Sequence, residues 1–250
     1  HTKLKNWPLA WALARALHFS VQHRALALLG YAVTGRKRAR PPNEKEFIKY
    51  ASKEIYKLLK QDSRNIRQGI YPAAVLKPEN PVTHWKRALD IVWDGIALAR
   101  RRKKGKHKEF KQSLPELIAD FPEYYVRNFH FQTDGYFSEH SAEIYEHQVE
   151  ILFAGAGDPM RRLLLPLMKK KFSPEGLNSE GKGLKFLEIG AGTGRLTKFM
   201  KLTFPKAQIT VMDPSEAYLK KAQSQLEEFS GVNFIQGFGE NLPFKENTFD

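Results

Sequence analysis

Residues 184–195 read Leu184-Lys-Phe-Leu-Glu-Ile-Gly-Ala-Gly-Thr-Gly-Arg195. The first six alternate and then turn apolar, as a buried parallel strand does. They end directly in Gly190, Ala191, Gly192, Thr193 and Gly194, and Leu196 to Thr203 reads as a helix. A glycine-rich turn from strand to helix lets backbone amides approach an anionic or polar ligand without Cβ obstruction, and aims the helix N-terminus at it. A ligand is therefore expected at this turn. A second strand, Gln208 to Met212, closes on Asp213, which lies 23 residues after Gly190. That is near the offset of about 20 residues at which an acid reaches ribose hydroxyls. A helix over 215–229, a third strand over 232–236 and the block Gly237-Phe-Gly-Glu-Asn-Leu-Pro-Phe244 follow. The pattern predicts an α/β, Rossmann-like core.

The loop does not fit a dinucleotide. That fingerprint wants its third glycine at the position held by Arg195, and here the spacing is G-x-G-x-G with Glu188 two residues ahead. Three ordered blocks, Leu187-Glu-Ile-Gly-Ala-Gly-Thr-Gly194, Val211-Met-Asp-Pro-Ser215 and Gly239-Glu-Asn-Leu-Pro-Phe244, resemble the class I S-adenosylmethionine-dependent methyltransferases. The resemblance implies that Gly190, Ala191, Gly192 and Gly194 let the backbone pass the methionine part of S-adenosyl-L-methionine, with Glu188 organising the loop or the cofactor's amino group. Asp213 would accept hydrogen bonds from both ribose hydroxyls, and Met212 or Pro214 would flank the adenine. Many members of the family carry an acid after the glycine of the third block. Here Phe238 follows Gly237, which implies ring or edge contact, with a backbone group or Glu240 in the polar role. On the residues alone, the glycines also serve turn geometry, Asp213 a helix cap and Glu240 a loop carboxylate. A longer block, Asn128-Phe-His-Phe-Gln-Thr-Asp-Gly-Tyr-Phe-Ser138, with His147-Gln-Val-Glu150 and Met160-Arg-Arg162, is similar to a cyanobacterial and plant methyltransferase-like family of unassigned substrate. In such enzymes the preceding helices fold over the cofactor, so His130, Gln132, Asp134 and Tyr136 are candidates to line the pocket; capping and aromatic packing account for them equally well.

The resemblance to the methyltransferase core covers residues 184–250 and three of that family's strands, so the core is expected to be truncated after the third strand, with more chain following Asp250. The acceptor site and its base, which the family places beyond a fourth strand, are not assigned to residues. The expected activity is methyl transfer to a small-molecule acceptor. RNA methylation through the basic front end and a non-catalytic cofactor-binding scaffold are the alternatives.

Organisation ahead of residue 184 is helical. The absence of cysteine excludes disulfides, zinc ribbons and thiol nucleophiles. Of the net charge of +14, +8 falls in residues 1–42, which contain no acid. Within this segment, residues 7–30 form an apolar-rich helical pattern interrupted by Arg15, His18, His23 and Arg24. That is too polar for a bilayer span. It reads as a basic amphipathic helix, either packed on the domain or resting on an anionic membrane surface, or as part of an organelle transit peptide. A cytoplasmic location is expected, with a plastid or other organelle as the alternative. Residues 43–172 form a helical cap region: one helix capped by Asn43 with Phe47, Tyr50, Ile55, Leu58 and Leu59 on a face, another from about Thr83 with Trp85, Leu89, Val92, Trp93 and Ile96, and a third capped by Ser138 that stops at Gly155. The run from Arg100 to Lys111 is read as a solvated helix end in preference to a nucleic-acid contact, because only Phe110 could stack on a base. His140, Glu143 and His147 share a face but lack metal-site spacing, and no metal is expected. Residues 173–183 are read as a linker.

Overall fold

The computed structural model describes residues 6–35, 42–77, 86–96, 121–126 and 135–250. Three parallel strands form the sheet: β1 (Lys185–Ile189), β2 (Gln208–Asp213) and β3 (Val232–Gln236), in the order β1-β2-β3. Lys185 pairs with Gln208 and Ile209 with Val232, so β1 ends at Ile189 level with Met212, one residue before Asp213 and Gln236 end level with each other. Two helices make the crossovers, Arg195–Thr203 after β1 and Glu216–Leu226 after β2. The second is shorter than its pattern suggests: it ends before Glu227 and Glu228, whose charges oppose the negative end of the helix dipole. Beyond β3 the chain returns to the outer side of β1, where the Asp250 amide donates to the Lys185 carbonyl at 3.0 Å. Strands two and three thus grow to one side of β1 and the chain end lies on the other. Open α/β sheets bind ligands outside the carboxyl ends of their strands, where the loop after β1 lies.

The preceding helices are α1 (Trp7–Thr34), α2 (Glu44–Arg67), α3 (Glu139–Leu152), α4 (Gly157–Arg162) and α5 (Leu164–Phe172), with residues 86–96 also helical. In the same numbering the two crossover helices are α6 and α7. One core joins the two regions: Leu59 is buried in α2, while Ile66 and Tyr71 pack with Leu165, Phe199, Phe204, Ile209 and Val211. Inside it, Arg162 donates to both oxygens of Asp62 at 2.8 and 2.7 Å, and Tyr71 Oη donates to Asp62 at 2.6 Å. Both charges are almost wholly buried, and the guanidinium also sits over the Phe199 ring at 4.9 Å. This pair clamps α2 to α4. Residues 173–183 are mostly exposed and are tied down at two points, Lys206 N–H donating to the Glu180 carbonyl at 2.8 Å and Gly181 lying against Phe204.

Several helical expectations change. Ser138 caps α3 by accepting from the Ser141 amide at 3.1 Å, but the Asn43 side chain makes no cap bond. Helix α3 stops at Leu152, and Ala154 and Gly155 carry the left-handed turn. In α2, Phe47 and Tyr50 are exposed. In residues 86–96 the buried side chains are Arg87, Ile91 and Asp94, while Leu89 and Trp93 face outward. Nor is α1 amphipathic: Ala12 and Phe19 are buried, yet large apolar side chains also line its opposite side. Trp85, Phe110 and the run from Arg100 to Lys111 lie outside the described residues.

Candidate functional site

Gly190, Gly192 and Gly194 all adopt left-handed backbone angles, with φ of 67°, 58° and 77°. This conformation costs an L side chain energy, so glycine is what the turn demands. Space divides the three. A Cβ on Gly194 would meet Leu226 Cδ1 at 2.8 Å, so that glycine serves helix packing. A Cβ on Gly190 would meet nothing within 4 Å, and one on Gly192 only Tyr218 at 3.8 Å. The first half of the loop therefore borders open space at the carboxyl end of β1, a cradle of the kind a cofactor backbone contact needs.

Asp213 closes this cradle from β2. Its Oδ2 accepts from the Gly192 amide at 2.8 Å and its Oδ1 from the Ser215 amide at 2.9 Å. A carboxylate has about four acceptor positions, so capacity remains for ribose hydroxyls. Burial raises the Asp213 carboxyl, and the two amides pull it back. The cap of α7 is Ser215, whose Oγ accepts from the Tyr218 amide at 3.2 Å. Glu188 accepts from the Thr197 hydroxyl; burial pushes its carboxyl up to about 7 against that bond.

Of the other positions drawn from the sequence, Ala191 is buried and its amide donates to the Met212 carbonyl at 3.1 Å. Met212 is fully buried beneath Gly237. The Pro214 carbonyl accepts from Gln236 at 2.9 Å, and the Gly237 amide donates to the Asp213 carbonyl at 3.2 Å. Phe238 lies against the Phe121 ring at 5.5 Å, edge to face. Glu240 is exposed at the rim and accepts from Tyr124 Oη at 2.5 Å. Tyr136 is half-buried beside the site, with its carbonyl accepting from Ser215 Oγ at 2.5 Å. His130, Gln132 and Asp134 lie outside the described residues. His140, Glu143 and His147 do not converge: Glu143 binds Arg87 at 2.8 Å and Lys221, whereas His147 packs on Phe19 and meets Gln22 at 2.8 Å. Among the described residues no group of His, Asp or Glu could hold a metal ion.

Two features of the site were not read from the sequence. One is an aromatic wall: Tyr125 packs on Tyr136 and Phe137, and Tyr218 on Tyr136 and Tyr145. Burial, with the Asp213 charge as a lesser cause, raises the Tyr125, Tyr136 and Tyr145 hydroxyls, Tyr136 to about 12. All three are neutral donors near Asp213. The aromatic stretch Phe121-Pro-Glu-Tyr-Tyr125 is the sequence signal that marks part of this wall. The other is a buried ionic lattice behind the loop. Arg195 Nε and Nη2 donate to Asp158 at 2.9 and 2.5 Å, Arg15 donates to the same carboxylate at 3.1 Å, and Arg161 meets it at 3.2 Å. Glu146 accepts from the Thr193 hydroxyl inside the loop and pairs with Arg161 at 3.0 Å. A mostly apolar cavity of about 380 Å³ lies between α1 and this lattice, bordered by Trp11, Phe19, Leu76 and Arg195.

A left-handed glycine loop after the first strand and a buried acid with free acceptor capacity ending the second are the arrangement that similarity to the class I S-adenosylmethionine-dependent methyltransferases leads one to expect. Residues 186–250 match a family model described as a methyltransferase domain. The chain is also similar to ubiquinone/menaquinone biosynthesis C-methyltransferases UbiE. With that of Shewanella sediminis it shares 37% identity over 87 residues, covering 33% of this chain and 34% of the relative. With that of Pseudomonas fluorescens it shares 38% over 85 residues, covering 32% and 33%. The chain spans about a third of the length of these curated relatives. Among solved structures, the CurJ carbon methyltransferase aligns with 90% of this chain and 60% of its own, at 15% identity and a TM-score of 0.38, too loose to carry an argument.

Proposed function

We propose that the chain is a methyltransferase that moves the methyl group of S-adenosylmethionine to a small-molecule acceptor, with a carbon atom as the target that its relatives' names favour. The observation that carries this reading is the pairing of an open glycine cradle with a buried acid that still has acceptor capacity. When bound, S-adenosylmethionine supplies an electrophilic methyl on a sulfonium. Gly190 and Gly192 accommodate the methionine portion, Asp213 holds the ribose, and Phe238 with Pro214 borders the adenine. Glu188, next to the loop, balances the cationic amino end. The Tyr125, Tyr136 and Tyr145 wall, aided by the 121–126 segment, keeps water from the cofactor's open side, and alignment with exclusion of water is what an in-line displacement needs.

The test has two parts. Calorimetry of S-adenosylmethionine against the chain should show saturable binding, and tritiated cofactor should label a low-molecular-mass product from a cell extract. Label appearing in RNA instead, with a steep salt dependence of RNA binding, would replace the small-molecule reading by RNA methylation. Cofactor binding with no acceptor labelled would leave a binding scaffold.

A further inference from the structure

Helix α1 has two apolar sides. At about 100° per residue, Pro8, Ala12, Phe19 and Leu26 form one stripe, turned toward α3 and the 86–96 helix. Arg15 fixes that side by pairing with Glu150 at 3.2 Å and Asp158 at 3.1 Å, and the turn at Gly155 approaches so closely that a Cβ there would lie 3.0 Å from Ala16 Cα. Leu13, Leu17, Val21, Leu28 and Tyr31 fall within about 80° of one another on the opposite side, and Trp7 extends that stripe, whereas Trp11 borders the inner cavity. Leu17 and Leu28 are each 68% exposed and Val21 57%. Between Trp7 and Tyr31 the stripe runs roughly 36 Å, and Arg24 is the one charge within it.

We propose that this outer stripe of α1 docks on an anionic membrane surface, lying in the interface without crossing it. Charge selects the occupant. Residues 1–42 contain no acid, and in the sequence α1 is preceded by Lys3 and Lys5 and followed by Arg36, Lys37, Arg38 and Arg40. Such flanks attract anionic headgroups. A second copy would set cations against cations in either helix orientation, and an RNA would leave the leucines without a partner. Trp7 at one end of the stripe and Tyr31 at the other suit the headgroup level, where amphipathic rings settle. No helix among the described residues is long and apolar enough to cross a membrane, and the inner stripe of α1 is already packed on protein. The inference is independent of the methyltransferase reading.

Flotation of the chain with phosphatidylcholine vesicles containing about one third phosphatidylglycerol tests it. We expect at least roughly tenfold more bound protein than with pure phosphatidylcholine, reduced in high salt. The Leu17→Gln/Leu28→Gln variant should lose at least roughly tenfold in partitioning while keeping its helical circular dichroism, because both side chains are exposed. Brominated lipid should quench tryptophan emission of the unsubstituted chain, which supports insertion without any variant. Absence of flotation, binding unaffected by the double substitution, or a concentration-dependent dimer abolished by it with no flotation would overturn the proposal. So would RNA binding in the absence of vesicle binding.

Discussion

Replacing Asp213 by alanine removes two bonds before any ligand is considered. The Gly192 and Ser215 amides lose acceptors that lie at 2.8 and 2.9 Å. Ser215 is only 2% exposed, so water cannot replace the carboxylate there, and an orphaned buried donor costs about 1–3 kcal/mol. Gly192 borders open space and can be rehydrated, so its loss is smaller. The net cost to folding is therefore about 2–3 kcal/mol, lessened slightly because burial already disfavours the ionised Asp213. Cofactor affinity falls for a separate reason, since ribose hydroxyls enter a site without an acceptor. That adds about 1–3 kcal/mol, or roughly 5- to 150-fold in Kd.

The two effects are separable by experiment. Urea denaturation of the parent and of Asp213→Ala reads the first, and calorimetry with S-adenosylmethionine well below the unfolding transition reads the second. Asp213→Asn retains one acceptor oxygen, so it should recover part of the stability while still binding the cofactor more weakly than the parent. If Asp213→Ala unfolds at the parent's urea midpoint, the amide bonds do not hold the loop. If its affinity is unchanged, Asp213 is a loop brace and not the ribose ligand.

Asp62→Ala should destabilise the chain by about 3–5 kcal/mol, because it strands the Arg162 guanidinium, 1% exposed, without its carboxylate; the double variant Asp62→Leu/Arg162→Met should recover much of that loss in urea denaturation, and failure to recover would place the energy elsewhere than in an uncompensated charge. Glu188 titrates at about 7 in the folded chain against 4.5 ordinarily, so its contribution is fully present below about pH 4.5 and is lost as pH rises through 7. Glu188→Gln should therefore gain up to about 3 kcal/mol relative to the parent between about pH 5 and pH 8, read from urea midpoints at the two pH values; parallel pH profiles would refute it.

The strands and glycine loop within residues 185–236 were legible because their signals are local. A buried parallel strand is rich in apolar residues, and a left-handed turn favours glycine. The same economy failed in α1. There, apolar residues occupy opposite sides of one helix, which reads along the chain as a broken amphipathic pattern although no side is polar throughout. Local reading also failed for residues 86–96, where Arg87 and Asp94 are buried in place of Leu89 and Trp93. Burying Arg87 depends on Glu143, 56 residues away, and no periodicity encodes such a partner. The lattice behind the loop was hidden for the same reason, since Thr193 meets Glu146 across 47 residues and Arg195 meets Asp158 across 37. Arg195 was visible as the residue that breaks a dinucleotide fingerprint. What replaces the missing glycine's close helix packing, an ion pair to α4, could only be seen in three dimensions.

That ion pair bears on how the loop is held. Asp158 and Glu150 are buried side by side, and two carboxylates in such proximity cannot both ionise cheaply. Burial works against the charge on Asp158, but Arg195 and Arg15 outweigh it and hold Asp158 well below the ordinary carboxylate range. Glu150 bears the opposite outcome, pushed up to about 7 by burial and by Asp158, despite Arg15 and Arg161. The proton shared by this pair near neutrality therefore resides on Glu150, and the carboxylate that grips Arg195 stays charged over the whole range in which Glu150 titrates. The grip matters because Arg195 opens α6 directly after the glycine loop, and Thr193 within that loop is tied through Glu146 to Arg161, on the same short helix as Asp158. The loop is thus fastened at two points to helices that precede the sheet by tens of residues. For this chain the helical region is part of the glycine loop's frame, and a minimal unit beginning at β1 would keep Gly190, Gly192 and Asp213 but lose what holds Thr193 and Arg195 in place.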